Sequence, residues 1–71
     1  MKNKVIELRG EDYLVLDDIL YNNTNYLYVI SVNGEKYSVL ERQIINNEEI
    51  VKSVTDDNLV KTILDLHINN N

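Results

Sequence analysis

The chain has 71 residues and sets seven Lys and Arg against twelve Asp and Glu, a net charge of −5. A chain this short is expected to fold as a single domain, 1–71, burying only about 60% of the surface its unfolded form exposes, and no second domain is expected to close a deep cleft. The absence of cysteine and the single histidine, His67, exclude disulfide and His- or Cys-based metal staples, and the acidic balance opposes direct binding to a phosphate backbone.

Met1-Lys2-Asn3-Lys4 makes a basic start, but Val5-Ile6-Glu7-Leu8-Arg9 is interrupted by charge and is too short for a signal-peptide core or a membrane span. The expectation is a cytoplasmic protein with no membrane partner. Residues 4–8 alternate loosely enough for a short edge strand, which Arg9-Gly10-Glu11-Asp12 ends in a turn. A second strand is predicted over 13–20, and Asn22-Asn23-Thr24-Asn25 reads as a four-residue loop to a third strand over 26–32. Asn33-Gly34 then supplies two residues tolerant of positive φ between alternating apolar runs, the strongest short-range signal for a tight hairpin. Tyr37-Ser38-Val39-Leu40 continues as a fourth strand, Asn46-Asn47 offers another two-residue turn, and 49–54 makes a fifth strand. Thr55 ahead of Asp56-Asp57-Asn58 reads as an N-cap followed by carboxylates that suit a helix start. Leu59, Ile63 and Leu66 recur on one helical stripe, widened by Val60 and His67, and the end is expected to fray over 69–71. Together these elements predict an α+β fold, an antiparallel β-meander of four to five strands packed by one C-terminal α-helix.

Turn lengths predict registers. A two-residue Asn33-Gly34 loop sets Val32 opposite Glu35, Ile30 opposite Tyr37, Tyr28 opposite Val39 and Leu27 opposite Leu40. A four-residue loop at Asn22 sets Tyr21 opposite Tyr26 and Ile19 opposite Tyr28, and an Asn46-Asn47 turn brings Glu41 opposite Lys52. All five tyrosines, Tyr13, Tyr21, Tyr26, Tyr28 and Tyr37, then share one sheet face. Leu14, Leu16, Leu20, Leu27, Val29 and Leu40 line the other, as the expected bed for Leu59, Ile63 and Leu66. Tyrosine joins a large apolar ring to a polar tip and is enriched where proteins meet. The five tyrosines are therefore the candidate protein-binding residues, for another protein or for a homodimer joined sheet to sheet.

Nothing in the chain spells out catalysis or a cofactor. Asp17-Asp18 point to opposite sides of a strand, Glu48-Glu49 belong to a turn, and Asp56-Asp57 serve the helix start, so these pairs do not converge on a metal. Gly10 and Gly34 are both spent on turns, which leaves no phosphate-binding loop. His67 falls in the last helical turn, where the helix dipole favours a protonated imidazole, and no spacing links it to Ser31, Ser38 or Ser53 as a nucleophile.

The order Asp12-Tyr13-Leu14-Val15-Leu16-Asp17, Tyr26-Leu27-Tyr28-Val29, Asn47-Glu48-Glu49-Ile50-Val51 and Thr55-Asp56-Asp57 resembles small acidic proteins of unknown function from low-GC Gram-positive bacteria and their phages or mobile elements. The resemblance spans roughly 10–68 and rests on strand and turn chemistry. It implies a cytoplasmic β-meander closed by a C-terminal helix, with a non-enzymatic role. The functional expectation is a protein–protein interaction module working through the tyrosine face or a sheet edge. The alternative is a phage-type inhibitor of a host defence nuclease, an acidic nucleic-acid mimic using Asp17, Asp18, Glu35, Glu48, Glu49, Asp56 and Asp57.

Overall fold

A computed structural model describes residues 4–69. It contains β1 (Val5–Leu8), β2 (Glu11–Tyr21), β3 (Thr24–Ser31), β4 (Tyr37–Ile45), β5 (Glu48–Ser53) and α1 (Asp57–Asn69). The strands form one antiparallel sheet in the order β1-β2-β3-β4-β5, so the fold is the expected α+β meander with a C-terminal helix. Asn69 is helical; the rest of the end expected to fray, 70–71, and the basic start at 1–3 lie outside the described residues.

Turn chemistry explains the meander and departs from expectation in two places. Arg9-Gly10, Asn22-Asn23 and Asn46-Asn47 all have positive φ and make tight two-residue loops, the geometry that matches the right-handed twist of paired strands. The Asn22 loop is thus two residues long rather than four, which pairs Tyr21 with Thr24 and Ile19 with Tyr26. The Asn33-Gly34 loop is the wider one. Gly34 alone takes positive φ there, its N–H donates to the Ser31 carbonyl at 2.7 Å, and Val32 stays with β2 by donating to the Asp12 carbonyl at 3.0 Å. The Ser31 hydroxyl, buried at the strand end, accepts from the Lys36 and Glu35 N–H groups and donates to Asn33 Oδ1 at 2.6 Å. These bonds replace the expected Val32 to Glu35 pair, while Ile30–Tyr37, Tyr28–Val39, Leu27–Leu40 and Glu41–Lys52 pair as expected.

Arg9 is the one turn residue whose side chain disfavours its backbone, with φ of 54°. Arg9→Asn is expected to stabilise the fold by about 0.5–1 kcal/mol, because Asn tolerates this conformation. A thermal melt would register that as a rise of roughly 2–8 °C.

The two faces of the sheet are not those expected. β2 carries a bulge between Val15 and Asp17, so Leu16 is an extra residue and the side-chain alternation flips there. Tyr13 and Val15 consequently face one side while Ile19 and Tyr21 face the other. Tyr13 packs with Leu27, Val29 and Leu40, and Ile6 and Leu8 of β1, Val15 of β2 and Val51 of β5 close over that cluster. The side holding these residues is the concave one, sealed by the sheet's own curl. Lys4 Nζ reaches from the residue before β1 to Glu49 on β5 at 3.2 Å, and Arg42 holds the same carboxylate. The Lys4 hydrogen bond, with Arg42 beside it, keeps the Glu49 carboxyl below the ordinary carboxylate range.

Helix α1 covers the opposite, tyrosine-bearing side. Asp56 rather than Thr55 caps it, accepting from the Asn58 and Leu59 N–H groups at 2.9 and 3.3 Å. Ile63, with no exposed surface, inserts among Ile19, Tyr26 and Val39, flanked by Tyr21, Tyr28, Val54, Leu59, Val60 and Leu66. The expected leucine bed is therefore wrong: the curl already fills that face, and the aliphatic residues interleaved with the tyrosines provide the helix's bed. Among the described residues no helix is long and apolar enough to cross a membrane.

Candidate protein-binding site

The bulge and the wide loop decide which aromatic groups reach the surface. Tyr13 and Tyr26 are buried, in the concave cluster and under the helix respectively, and Tyr21 is half-buried beside the helix. The five-tyrosine face is thus corrected on two counts: Tyr13 leaves it through the bulge, and the helix covers most of the remainder. Tyr37, the first residue of β4 and beyond the helix's cover, remains 60% exposed.

Tyr37 does not stand alone. Its ring stacks on Tyr28 of the neighbouring strand, with centroids 5.7 Å apart and planes 15° from parallel. Tyr28 in turn meets the His67 ring at 4.6 Å, tilted by 51°. Between this aromatic row and α1 lies an open notch of about 250 Å³ lined by Tyr28, Tyr37, Ser38, Val39, Val60 and Leu64. Its walls are ring faces and branched aliphatic groups, with the Ser38 residue the polar exception. Burial, and then the adjacent Tyr37 phenol, push the Tyr28 hydroxyl above its ordinary value of 10.0, so it keeps its proton at neutral pH.

The back of the aromatic row is fixed by a contact that local sequence does not signal. His67 Nδ1 lies 2.8 Å from Asp17 Oδ2, although 50 positions separate them in the chain. The bulge turns Asp17 toward the helix, and its other oxygen accepts from the Asp18 N–H at 2.9 Å. Asp18 points to the other side and accepts from Asn25 Nδ2 at 3.0 Å, which agrees with the expectation that the two carboxylates diverge. His67 thus sits in the last helical turn as expected, and also ties that turn to β2 beside Tyr28.

The chain matches no family model, no curated protein and no solved structure. What the site does must follow from its own chemistry. Among the described residues no cluster of three or more His, Cys, Asp or Glu could hold a metal ion. A larger hollow of about 400 Å³ lies where 23–25 meet 41–45, but amide, hydroxyl and charged groups dominate its rim, and Arg42 there is already paired with Glu49. The Tyr37 notch differs in offering a rigid aromatic platform beside apolar walls, the combination that receives a partner's anchoring side chain.

Proposed function

We propose that this chain is a non-enzymatic, cytoplasmic protein–protein interaction module that accepts an apolar side chain of a partner protein in the notch beside Tyr37. The observation that carries the reading is Tyr37 itself. A large aromatic ring left 60% exposed, stacked on Tyr28 at the mouth of a 250 Å³ apolar notch, gives contact area at low entropy cost. The notch suits one aliphatic or aromatic side chain, and Asp17 and His67 steady the platform from behind. The acidic-mimic alternative is less favoured because several of its carboxylates are already engaged. Asp17 meets His67, Glu49 holds Lys4 and Arg42, and Asp56 caps the helix.

Peptides selected against the folded protein from a random library test the reading. The enriched peptides are expected to carry a bulky apolar residue and to shift the amide resonances of Tyr37, Ser38, Val60 and Leu64. Tyr37→Ala is expected to weaken them about tenfold or more while leaving the thermal transition in place. Binding that maps elsewhere, or that Tyr37→Ala leaves unchanged, would overturn the assignment.

A further inference from the structure

β5 is an edge strand whose only ladder among the described residues is the one to β4. The tight Asn46-Asn47 turn makes Ile45 and Glu48 the closing hydrogen-bonded pair, so Glu48, Ile50 and Lys52 direct their backbone groups toward β4. The Val54 N–H donating to the Val39 carbonyl at 3.0 Å has the same parity. Glu49, Val51 and Ser53 therefore turn N–H and C=O outward along the edge. Side chains follow the opposite rule: Glu48, Ile50 and Lys52 are exposed and share the face of Gln43 and Ile45, while Glu49 and Val51 face the concave side. The Lys4 tie to Glu49 accordingly runs on the concave side of the strand.

We propose that this edge pairs with β5 of a second copy of the chain, antiparallel, about a two-fold axis through Ile50. In that register Ile50 lies against Ile50 of the second copy as a pair without backbone bonds, the kind with the closer side chains. Glu48 then faces Lys52 of the second copy, and the symmetry forms that ion pair twice. The outward groups of Glu49 and Val51 exchange hydrogen bonds on both sides of the axis. Neighbouring registers are worse: one sets Glu49 against Glu49 and Glu48 against Ile50, and the other sets Ile50 against Lys52 with no opposite-charge pair. Glu48-x-Ile50-x-Lys52 is thus complementary to its own reverse, which an isologous contact requires. The net charge of −5 on each copy repels at long range, but at physiological salt the Debye length of about 8 Å screens it while the ion pairs remain in contact. The contact uses no residue of the Tyr37 notch, so the two assignments stand or fall separately.

Light scattering over a concentration series, up to about 1 mM because edge contacts are small and weak, provides the first test. The wild type is expected to shift from monomer to dimer. Ile50→Lys, at a position already 41% exposed, is expected to remain monomeric with an unchanged far-UV spectrum. Cysteine placement tests the register, since the chain has no other thiol. Ile50→Cys sets two thiols across the axis at a Cα separation of about 4.5 Å, within disulfide reach. Mild oxidation is expected to crosslink it at least about tenfold faster than Leu20→Cys, which is 68% exposed on β2. A wild type that stays monomeric throughout, a dimer that Ile50→Lys leaves intact, or an Ile50→Cys crosslinking no faster than Leu20→Cys would each overturn the proposal.

Discussion

Deleting Leu16 as a residue is expected to abolish the cooperative unfolding transition, whereas Leu16→Ala is expected to lower stability by only about 0.5 kcal/mol. The Leu16 side chain is exposed, so what matters is the extra backbone unit it adds to β2. With that unit present, Tyr13 and Val15 reach the concave cluster while Ile19 and Tyr21 reach the helix. Without it the alternation runs straight, and one of these two pairs must turn to the wrong side, carrying across either Asp12 with Tyr13 or Asp17 and Asp18 with Ile19. Exposing two such side chains costs about 3–6 kcal/mol, against a total stability of about 4–10 kcal/mol for a chain of this size. Desolvation of a displaced carboxylate adds to the loss. Circular dichroism during heating reads the outcome, and a deletion variant melting cooperatively within a few degrees of the parent would show that the bulge is dispensable.

Ile63→Ala is expected to have the next largest effect. Ile63 has no exposed surface and joins α1 to Ile19 of β2, Tyr26 of β3 and Val39 of β4 at once. Truncation removes three buried carbons and leaves a void that the rigid sheet cannot collapse into, for a loss of about 2–5 kcal/mol. In a domain of this size that lowers the melting temperature by roughly 10 °C or more. Ile68→Ala, on the exposed side of the same helix, is the matched control and is expected to change stability by less than about 0.5 kcal/mol. Urea titration of the two variants separates helix docking from helix propensity, because both substitutions improve propensity and only one empties the core.

The strand order, the helix and most of the β3–β4 and β4–β5 registers were legible in the sequence, because hydrophobic alternation and turn residues act locally. Asn33-Gly34 misled on turn width: its chemistry permits a two-residue turn, but the Ser31 hydroxyl offers the backbone an alternative set of bonds and Val32 remains with β2. The Leu16 bulge carries no glycine or other local mark, so the placement of Tyr13 could not be read from alternation. Which face the helix covers depends on how far the sheet curls, and that is set by Ile6, Leu8 and Val15 at one end of the chain packing into the same cluster as Val51 near the other. The contact between Asp17 and His67 depends on both features at once. The candidate site was therefore legible as a composition of tyrosines, while the selection of Tyr37 as the exposed member required the tertiary fold.

Because each strand lies beside its neighbour in the chain, the sheet is built from local contacts, and hairpins of this kind close in about 1–10 microseconds. Docking of α1 instead joins Ile63 to Ile19, Tyr26 and Val39, far back in the chain, and so carries the larger loop-closure entropy. The topology therefore favours a folding order of sheet first and helix second, with Tyr21, Tyr26 and Tyr28 the last groups to leave water. How fast α1 docks then sets how long this adhesive face is open to other chains during folding.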